Sequence, residues 1–173
     1  MPELTVLFVC TGNICRSAYA EVVAHHRLGG AEGVRVASAG TWGLTDSPMC
    51  PDMAELARAR GADPSGFRAR RITRGVVEAS DLILVAEATH RAFILEDWPA
   101  ALPRVFSLVQ FARAVADAPG SGRGLVAAVK AARLPLRMSD DITDPYRRGP
   151  EAARACALQV DAALDAILPR LAE

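Results

Sequence analysis

The sequence has little cysteine, almost no lysine and no long apolar run, and each shortage excludes a class of protein. Four cysteines in 173 residues are too few for a disulfide scaffold, and their spacings fit no common zinc pattern. Lys130 is the only lysine, and the 20 basic residues are balanced by 20 acidic ones. The basic excess typical of a nucleic-acid partner is therefore absent. No segment approaches the roughly 20 apolar residues of a membrane span. We therefore expect neither a nucleic-acid partner nor a membrane span.

The composition and the first residues favour one globular domain in a reducing compartment. Hydrophobic residues make up 51% of the chain, which is typical of a folded protein. The length suits a single domain over residues 1–173. The opening "MPELTVLFVC" has no basic region before its apolar run, so it does not resemble a signal peptide. We expect a cytoplasmic location, where thiols stay reduced.

Short apolar segments alternate with helical patterns along the chain, which predicts an α/β fold. Helices are expected at 17–28, 51–61, 89–98, 109–118, 125–134 and 150–173. The alternation predicts a central four-stranded parallel sheet with helices on both faces, a three-layer α/β/α arrangement. The expected strands are Leu4–Val9, Val34–Gly40, Asp81–Ala86 and Pro103–Leu108.

The loop "CTGNICR", residues 10–16, follows the first strand and enters the first helix. Ligands of open α/β sheets bind at the carboxyl ends of the strands. Gly12 and Asn13 tolerate unusual dihedral angles, so successive N–H groups can form an anion-binding nest at the helix N-terminus. Arg16 can place two N–H groups on a tetrahedral anion. Cys10 would lie beneath that anion as a thiolate, placed to attack phosphorus.

Three other interpretations of this loop are weaker. A Walker-type phosphate loop needs Gly-Lys-Ser/Thr, which is missing here. A zinc site needs further ligands, and neither Cys50 nor Cys156 has a partner at metal spacing. Buried cysteines without a function are common, but they do not explain Gly12, Asn13 and Ser17 in one strand–loop–helix setting.

A phosphatase also needs a proton donor for the leaving oxygen, and "DDITDPYRRG" offers three carboxylates. We interpret Asp140 and Asp141 as solvated acids of a polar loop. Asp144 differs, because Pro145 stiffens the chain after it and Tyr146 adds an aromatic wall. This arrangement predicts a mobile lid that carries the acid.

Three motifs together resemble the low-molecular-weight protein-tyrosine phosphatase family. They are "VLFVCTGNICRS" (6–17), "SAGTWG" (38–43) and "DPY" (144–146), in the family's order, with "GFRARRIT" and "DLILVA" between them. The resemblance implies the three-layer fold with the phosphate-binding loop between the first strand and the first helix. It also implies protein-tyrosine phosphatase activity without a metal or an organic cofactor.

The resemblance also implies the roles of the reacting residues. Cys10 would attack the phosphoryl group and form a phosphocysteine, while Arg16 holds the equatorial oxygens. Asp144 would protonate the leaving phenol and then activate water. Ser17 would hydrogen-bond the nucleophile. The residues that bind phosphate or support the loop would be Thr11, Gly12, Asn13, Ile14, Cys15, Ser17 and Ser38.

The resemblance also concerns residues at the rim of the site and the oxidation of its cysteines. Trp42 and Tyr146 would form aromatic walls around the substrate ring. Cys15 is either a protective disulfide partner of Cys10 or a buried small residue. Departures from the family pattern are Ala18, Phe67 and Arg147, and residues 107–138 carry no motif of the family. None of the three histidines is assigned a role.

The implied partners are a phosphorylated protein, with an autophosphorylated tyrosine kinase as one candidate, and inorganic phosphate or a similar oxyanion. Three alternatives stay open at this point. A phosphoarginine phosphatase is compatible with Thr11, although that residue does not decide. An arsenate reductase on the same fold would need further cysteines near residues 81–93, which have none. A non-catalytic phosphate-binding module would not need Asp144.

Overall fold

The computed structural model describes residues 3–172 and contains one parallel sheet of four strands. The strand order is β2-β1-β3-β4, and every neighbouring pair runs parallel. The predicted four-stranded parallel sheet is confirmed, with β3 and β4 shorter than expected. The strands are β1 (Leu4–Cys10), β2 (Val34–Gly40), β3 (Leu82–Val85) and β4 (Val105–Ser107).

The six predicted helices are all present, and the structure adds one that the sequence did not indicate. This helix has five residues, too few for a periodic pattern, and the Thr73 hydroxyl caps it by accepting the N–H of Val76. Short 3₁₀ helices cover Pro99–Arg104 and Met138–Asp140. The α-helices are α1 (Arg16–Leu28), α2 (Pro51–Ala59), α3 (Arg74–Glu78), α4 (Ala88–Asp97), α5 (Leu108–Val115), α6 (Gly122–Ala132) and α7 (Pro150–Leu171).

The two faces of the sheet support two separate apolar clusters. Successive side chains of a strand point to opposite faces. Val6 and Phe8 of β1 therefore pack with α1, α2, α5, α6 and α7, while Leu7 and Val9 pack with α3 and α4. The three-layer α/β/α prediction is confirmed. Within residues 3–172, no helix has the length and the apolar character needed to cross a membrane. The predicted domain of 1–173 stays a prediction, and residues 1, 2 and 173 lie outside the described part.

Both acids that the sequence analysis interpreted as solvated have hydrogen-bond partners within the protein. Asp140 is 1% exposed and pairs with Arg113 of α5, whose Nη2 lies 2.7 Å from its Oδ2. Asp141 accepts the N–H of Ala88 at 2.8 Å and so caps the start of α4. The solvated interpretation was wrong, because the partners come from distant parts of the chain. Part of the 107–138 stretch thus anchors the loop that leads to Asp144.

The end of β2 lies against the 10–16 loop without room for a side chain. Thr41 N–H donates to the Cys10 carbonyl at 2.9 Å, and Trp42 N–H donates to the Thr11 carbonyl at 2.9 Å. A Cβ atom on Gly40 would collide with the Thr11 carbonyl oxygen, which is backbone and cannot swing aside. Gly40 is therefore required by close approach.

Gly40→Ala should lower the free energy of unfolding by about 1–3 kcal/mol, the usual cost of overpacking, and should weaken phosphate binding by displacing Thr11. Gly66→Ala is the matched control, because a Cβ atom there meets no atom within 4 Å. Urea unfolding and phosphate titration of both variants check this. Equal effects in the two variants would contradict the close-approach explanation.

Candidate active site

The 10–16 loop joins β1 to α1, and Asn13 makes its sharpest turn. Asn13 has φ 56°, in the left-handed region that asparagine enters more readily than most residues. Gly12 is outside that region, and a Cβ atom on it would make only ordinary contacts, the nearest 3.6 Å from Ile14. The expectation that Gly12 supplies special backbone freedom was therefore wrong. Asn13 both turns the chain and uses its amide to hold the loop.

A chain of hydrogen bonds fixes the thiol of Cys10 at the end of β1. The Cys10 Sγ lies 2.9 Å from the Ser17 Oγ. Asn13 Nδ2 donates to the Ser17 Oγ at 2.8 Å and to the Ser38 Oγ at 2.8 Å. Because Ser17 already accepts from Asn13, its own proton is available for the sulfur. Two acceptors are within reach of that proton, the Cys10 Sγ at 2.9 Å and the Ala39 carbonyl at 3.5 Å.

Arg70 supports the 10–16 loop from outside. Its N–H donates to the Asn13 Oδ1 at 2.9 Å, and its Nε donates to the Ser38 carbonyl at 2.8 Å. The Ser38 hydroxyl in turn donates to Glu21, whose pKa is raised by burial. Phe67 lies in the apolar cluster. Arg70 therefore braces the loop through Asn13 and Ser38.

Arg16 is buried and held on one side only. Its Nη1 lies 2.9 Å from the Glu87 Oε1 and donates to the Ile142 carbonyl at 2.9 Å. Its Nε is buried without a hydrogen-bond partner among residues 3–172, and its Nη2 is 3.8 Å from the Asp144 Oδ2. A buried unpaired donor is costly unless a ligand satisfies it. The Nε–Nη2 edge therefore suits a tetrahedral oxyanion.

A pocket of about 270 Å³ brings most of the predicted residues together. Cys10, Arg16 and Asp144 all line it. The Asp144 carboxylate is 45% exposed, and its Oδ1 accepts the N–H of Tyr146 at 3.1 Å. Asn13, Ser17 and Ser38 lie behind the loop and support it. The lining residues are Cys10, Thr11, Gly12, Ile14, Cys15, Arg16, Trp42, Leu44, Asp144 and Tyr146.

Trp42 and Tyr146 stand at the mouth of this pocket, each stacked with an arginine. The Arg71 guanidinium lies 4.4 Å from the Trp42 ring centroid, and that of Arg147 lies 5.0 Å from the Tyr146 ring centroid. Phe93 meets Trp42 edge to face at 6.1 Å. Cation–π contacts hold each ring in place. The rim is therefore aromatic and positively charged.

His90 is a residue of the site that the sequence did not indicate. Its Nδ1 accepts the N–H of Glu87 at 3.1 Å, so the ring proton is on Nε2. The Nε2 lies 2.8 Å from the Thr11 Oγ1 and donates to it. The Thr11 hydroxyl proton is then available for donation to another acceptor. A histidine at the start of a helix gave no signal of this contact, because Thr11 is 79 residues away.

The remaining cysteines do not form a metal site within residues 3–172, where no group of three suitable ligands occurs. The thiol of Cys15 lies 2.6 Å from that of Cys50, while Cys156 is buried on α7. The suggested protection of Cys10 by Cys15 stays a prediction.

Burial, reinforced by the charge of Arg16, lowers the pKa of His90 to about 4. As the pH falls, His90 binds a proton near pH 6.5 in the unfolded chain but only near pH 4 in the folded chain. His90 should therefore reduce stability as the pH falls from about 6.5 to 4. NMR titration of the histidine ring protons checks this, with His25→Gln and His26→Gln assigning the signals. A His90 signal that titrates near pH 6.5 would contradict it.

Comparison with known proteins agrees with this geometry. The family model of the low molecular weight phosphotyrosine protein phosphatases matches residues 5–120. EpsP from Ralstonia nicotianae, a probable low molecular weight protein-tyrosine-phosphatase, is 31% identical over 96% of this chain and 95% of its own length. A protein-arginine-phosphatase from Geobacillus stearothermophilus is 28% identical over 61% of this chain and 70% of its own.

A solved structure shows the same fold. Vibrio vulnificus Wzb in complex with benzylphosphonate superimposes with a TM-score of 0.73 and 26% identity, over 95% of this chain and 97% of Wzb. The family model and EpsP cover most of the chain, including the loop that carries Cys10 and Arg16. This chain is a phosphatase and belongs to the low-molecular-weight protein-tyrosine phosphatase family.

Proposed function

We propose that this phosphatase hydrolyses phosphotyrosine in proteins through a phosphocysteine on Cys10. One observation carries the proposal. Cys10, Arg16 and Asp144 line a single pocket together with the aromatic residues Trp42 and Tyr146, and the Arg16 Nε has no partner among residues 3–172. This is a nucleophile, an oxyanion clamp and an acid in one place.

In the first step, the Cys10 thiolate attacks phosphorus, so an S–P bond forms and the P–O bond to the phenol breaks. The Nε and Nη2 of Arg16 hold the equatorial oxygens, whose charge develops in the transition state. Asp144, protonated at this stage, gives its proton to the leaving oxygen. Ser17 has stabilised the thiolate up to the moment of attack.

In the second step, water attacks phosphorus and the S–P bond breaks. Asp144, now a carboxylate, takes a proton from that water, and inorganic phosphate leaves. Cys10 returns as a thiolate and again accepts the hydrogen bond from Ser17. Because Asp144 is half-exposed, it can exchange protons with solvent between turnovers.

The aromatic rim supports a phosphotyrosine substrate. A phenyl ring can lie between Trp42 and Tyr146, and the Wzb structure holds benzylphosphonate, which also joins a phenyl ring to a phosphorus oxyanion. Arg71 and Arg147 add positive charge beside both walls. That charge opposes the cationic guanidinium of an arginine side chain and attracts acidic peptide segments.

A phosphoarginine phosphatase is the second candidate, and two observations favour it. Thr11 places a polar hydroxyl in the pocket, and a protein-arginine-phosphatase is among the relatives. His90, however, donates to the Thr11 oxygen, which leaves that hydroxyl as a hydrogen-bond donor. A donor suits the ester oxygen of phosphotyrosine better than the N–H groups of a guanidinium.

The proposed partners are phosphorylated proteins, and an autophosphorylated tyrosine kinase remains a prediction. We also propose a cytoplasmic location, because the chemistry requires Cys10 in its reduced form. All four cysteines are unbridged in the structure.

Asp144→Asn should slow the release of poor leaving groups about 100-fold or more, since general acid catalysis contributes that much. Phenyl phosphate should suffer strongly and p-nitrophenyl phosphate little, because nitrophenolate leaves without a proton. Asp46→Asn, a change at an exposed loop acid, is the control. Steady-state kcat/KM on both esters provides the measurement, because it reports only the steps up to the loss of the phenol. An equal loss on both would count against Asp144 as the acid.

The substrate proposal is tested by comparing two peptides of identical sequence, one with phosphotyrosine and one with phosphoarginine. We expect kcat/KM to be at least tenfold higher for phosphotyrosine. Trp42→Ala should raise KM for that peptide, because the ring loses a wall, whereas Trp98→Ala, outside the pocket, should not. A higher kcat/KM for phosphoarginine would favour the second candidate.

A further inference from the structure

Two cysteines that the proposed mechanism does not use as reactants lie in direct contact. The Sγ atoms of Cys15 and Cys50 are 2.6 Å apart, closer than two non-bonded sulfur atoms normally approach. Cys15 is the last loop residue before Arg16, and Cys50 is the residue before α2. The Cys50 N–H also donates to the Ile14 carbonyl at 2.8 Å. The phosphate-binding loop and the start of α2 are thus already joined at this point.

The two thiols have different surroundings. Cys15 is 3% exposed and lines the pocket of Cys10. Cys50 is half-buried and opens on a neighbouring pocket of about 320 Å³, lined by Tyr146, Arg147 and residues 51–53. A small oxidant can therefore reach Cys50 without entering the site where substrate binds.

The electrostatics make Cys50 the more reactive sulfur. Hydrogen bonds from the Cys15 thiol and from the Met53 N–H lower the pKa of Cys50, and the helix N-terminus adds partial positive charge. The contact with Cys50 and burial raise the pKa of Cys15. Of the two thiols, Cys50 therefore loses its proton more readily and Cys15 keeps its proton more firmly.

We propose that Cys15 and Cys50 are a redox modification site that closes to a disulfide when a peroxide reaches Cys50. The Cys50 thiolate attacks a peroxide oxygen, so an S–O bond forms, the O–O bond breaks and hydroxide leaves. Cys15 then attacks the Cys50 sulfur. An S–S bond forms, the S–O bond breaks, and water leaves with the Cys15 proton. The two sulfurs lose two electrons, which the peroxide gains.

The disulfide would attach the phosphate-binding loop to α2 and remove Cys15 as a partner for Cys10. Because the sulfurs already touch, the loop needs little movement to form the bond. The oxidised protein should therefore keep the shape of the Cys10 pocket. It should also resist unfolding, since the cross-link restricts the unfolded chain between residues 15 and 50.

The test is to treat the reduced protein with a few equivalents of hydrogen peroxide and to map disulfides by mass spectrometry of a non-reducing digest. Wild type and Cys156→Ala, a control at a buried cysteine on α7, should both give a Cys15–Cys50 peptide. The midpoint of thermal unfolding should rise by several degrees and return with dithiothreitol. This readout does not depend on phosphatase activity. A Cys10–Cys15 peptide as the main product, or no linked peptide, would overturn the proposal.

The order of the two steps is tested with Cys15→Ala, in which a sulfenic acid on Cys50 has no Cys15 thiol to react with. Dimedone, which captures sulfenic acids, should label Cys50 after peroxide treatment. Cys50→Ala, treated in the same way, should give no adduct at position 50. Labelling of Cys10 without Cys50 in Cys15→Ala would contradict Cys50 as the first sulfur to react.

Discussion

The contact on which the site depends is the clamp on one side of Arg16. Glu87 and the Ile142 carbonyl both hold its Nη1, which fixes the guanidinium plane inside the protein. On the opposite edge, the buried Nε has no protein partner among residues 3–172, and the Nη2 lies 3.8 Å from the Asp144 Oδ2. A carboxylate beside the arginine also balances its charge when no anion is bound. The clamp thus holds the guanidinium in one orientation.

The fold explains how residues so far apart in the chain meet at this clamp. Parallel strands direct their carboxyl ends to one edge of the sheet, so the segments that follow β1, β2 and β3 converge there. The Ile142 N–H donates to the Ala86 carbonyl beyond β3, and Asp140 pairs with Arg113 of α5. These anchors place the segment before Asp144 over the phosphate-binding loop. The loop itself is held from behind by Asn13 and Ser38.

The local sequence predicted the strands, the longer helices and most of the residues that the structure brings into one pocket, because periodicity and motif spacing reflect local structure. It did not indicate that Asp140 is buried, that His90 contacts Thr11, or that Cys50 meets Cys15. Each of these depends on a partner at least 27 residues away, and no spacing rule relates the two positions. Gly12 and Asn13 show a further limit, since both tolerate the turn and only Asn13 makes it. In each case, packing between different segments of the chain determined the structure.

We propose that the Nε–Nη2 edge of Arg16 receives the tetrahedral oxyanion. Isothermal titration calorimetry with inorganic phosphate tests it most directly on Arg16→Lys, which keeps the charge but loses the paired donors. Arg74→Lys, at an exposed site on α3, is the control, and circular dichroism verifies that both variants fold. We expect at least tenfold weaker phosphate binding in Arg16→Lys and unchanged binding in Arg74→Lys. Equal affinity in both variants would contradict it.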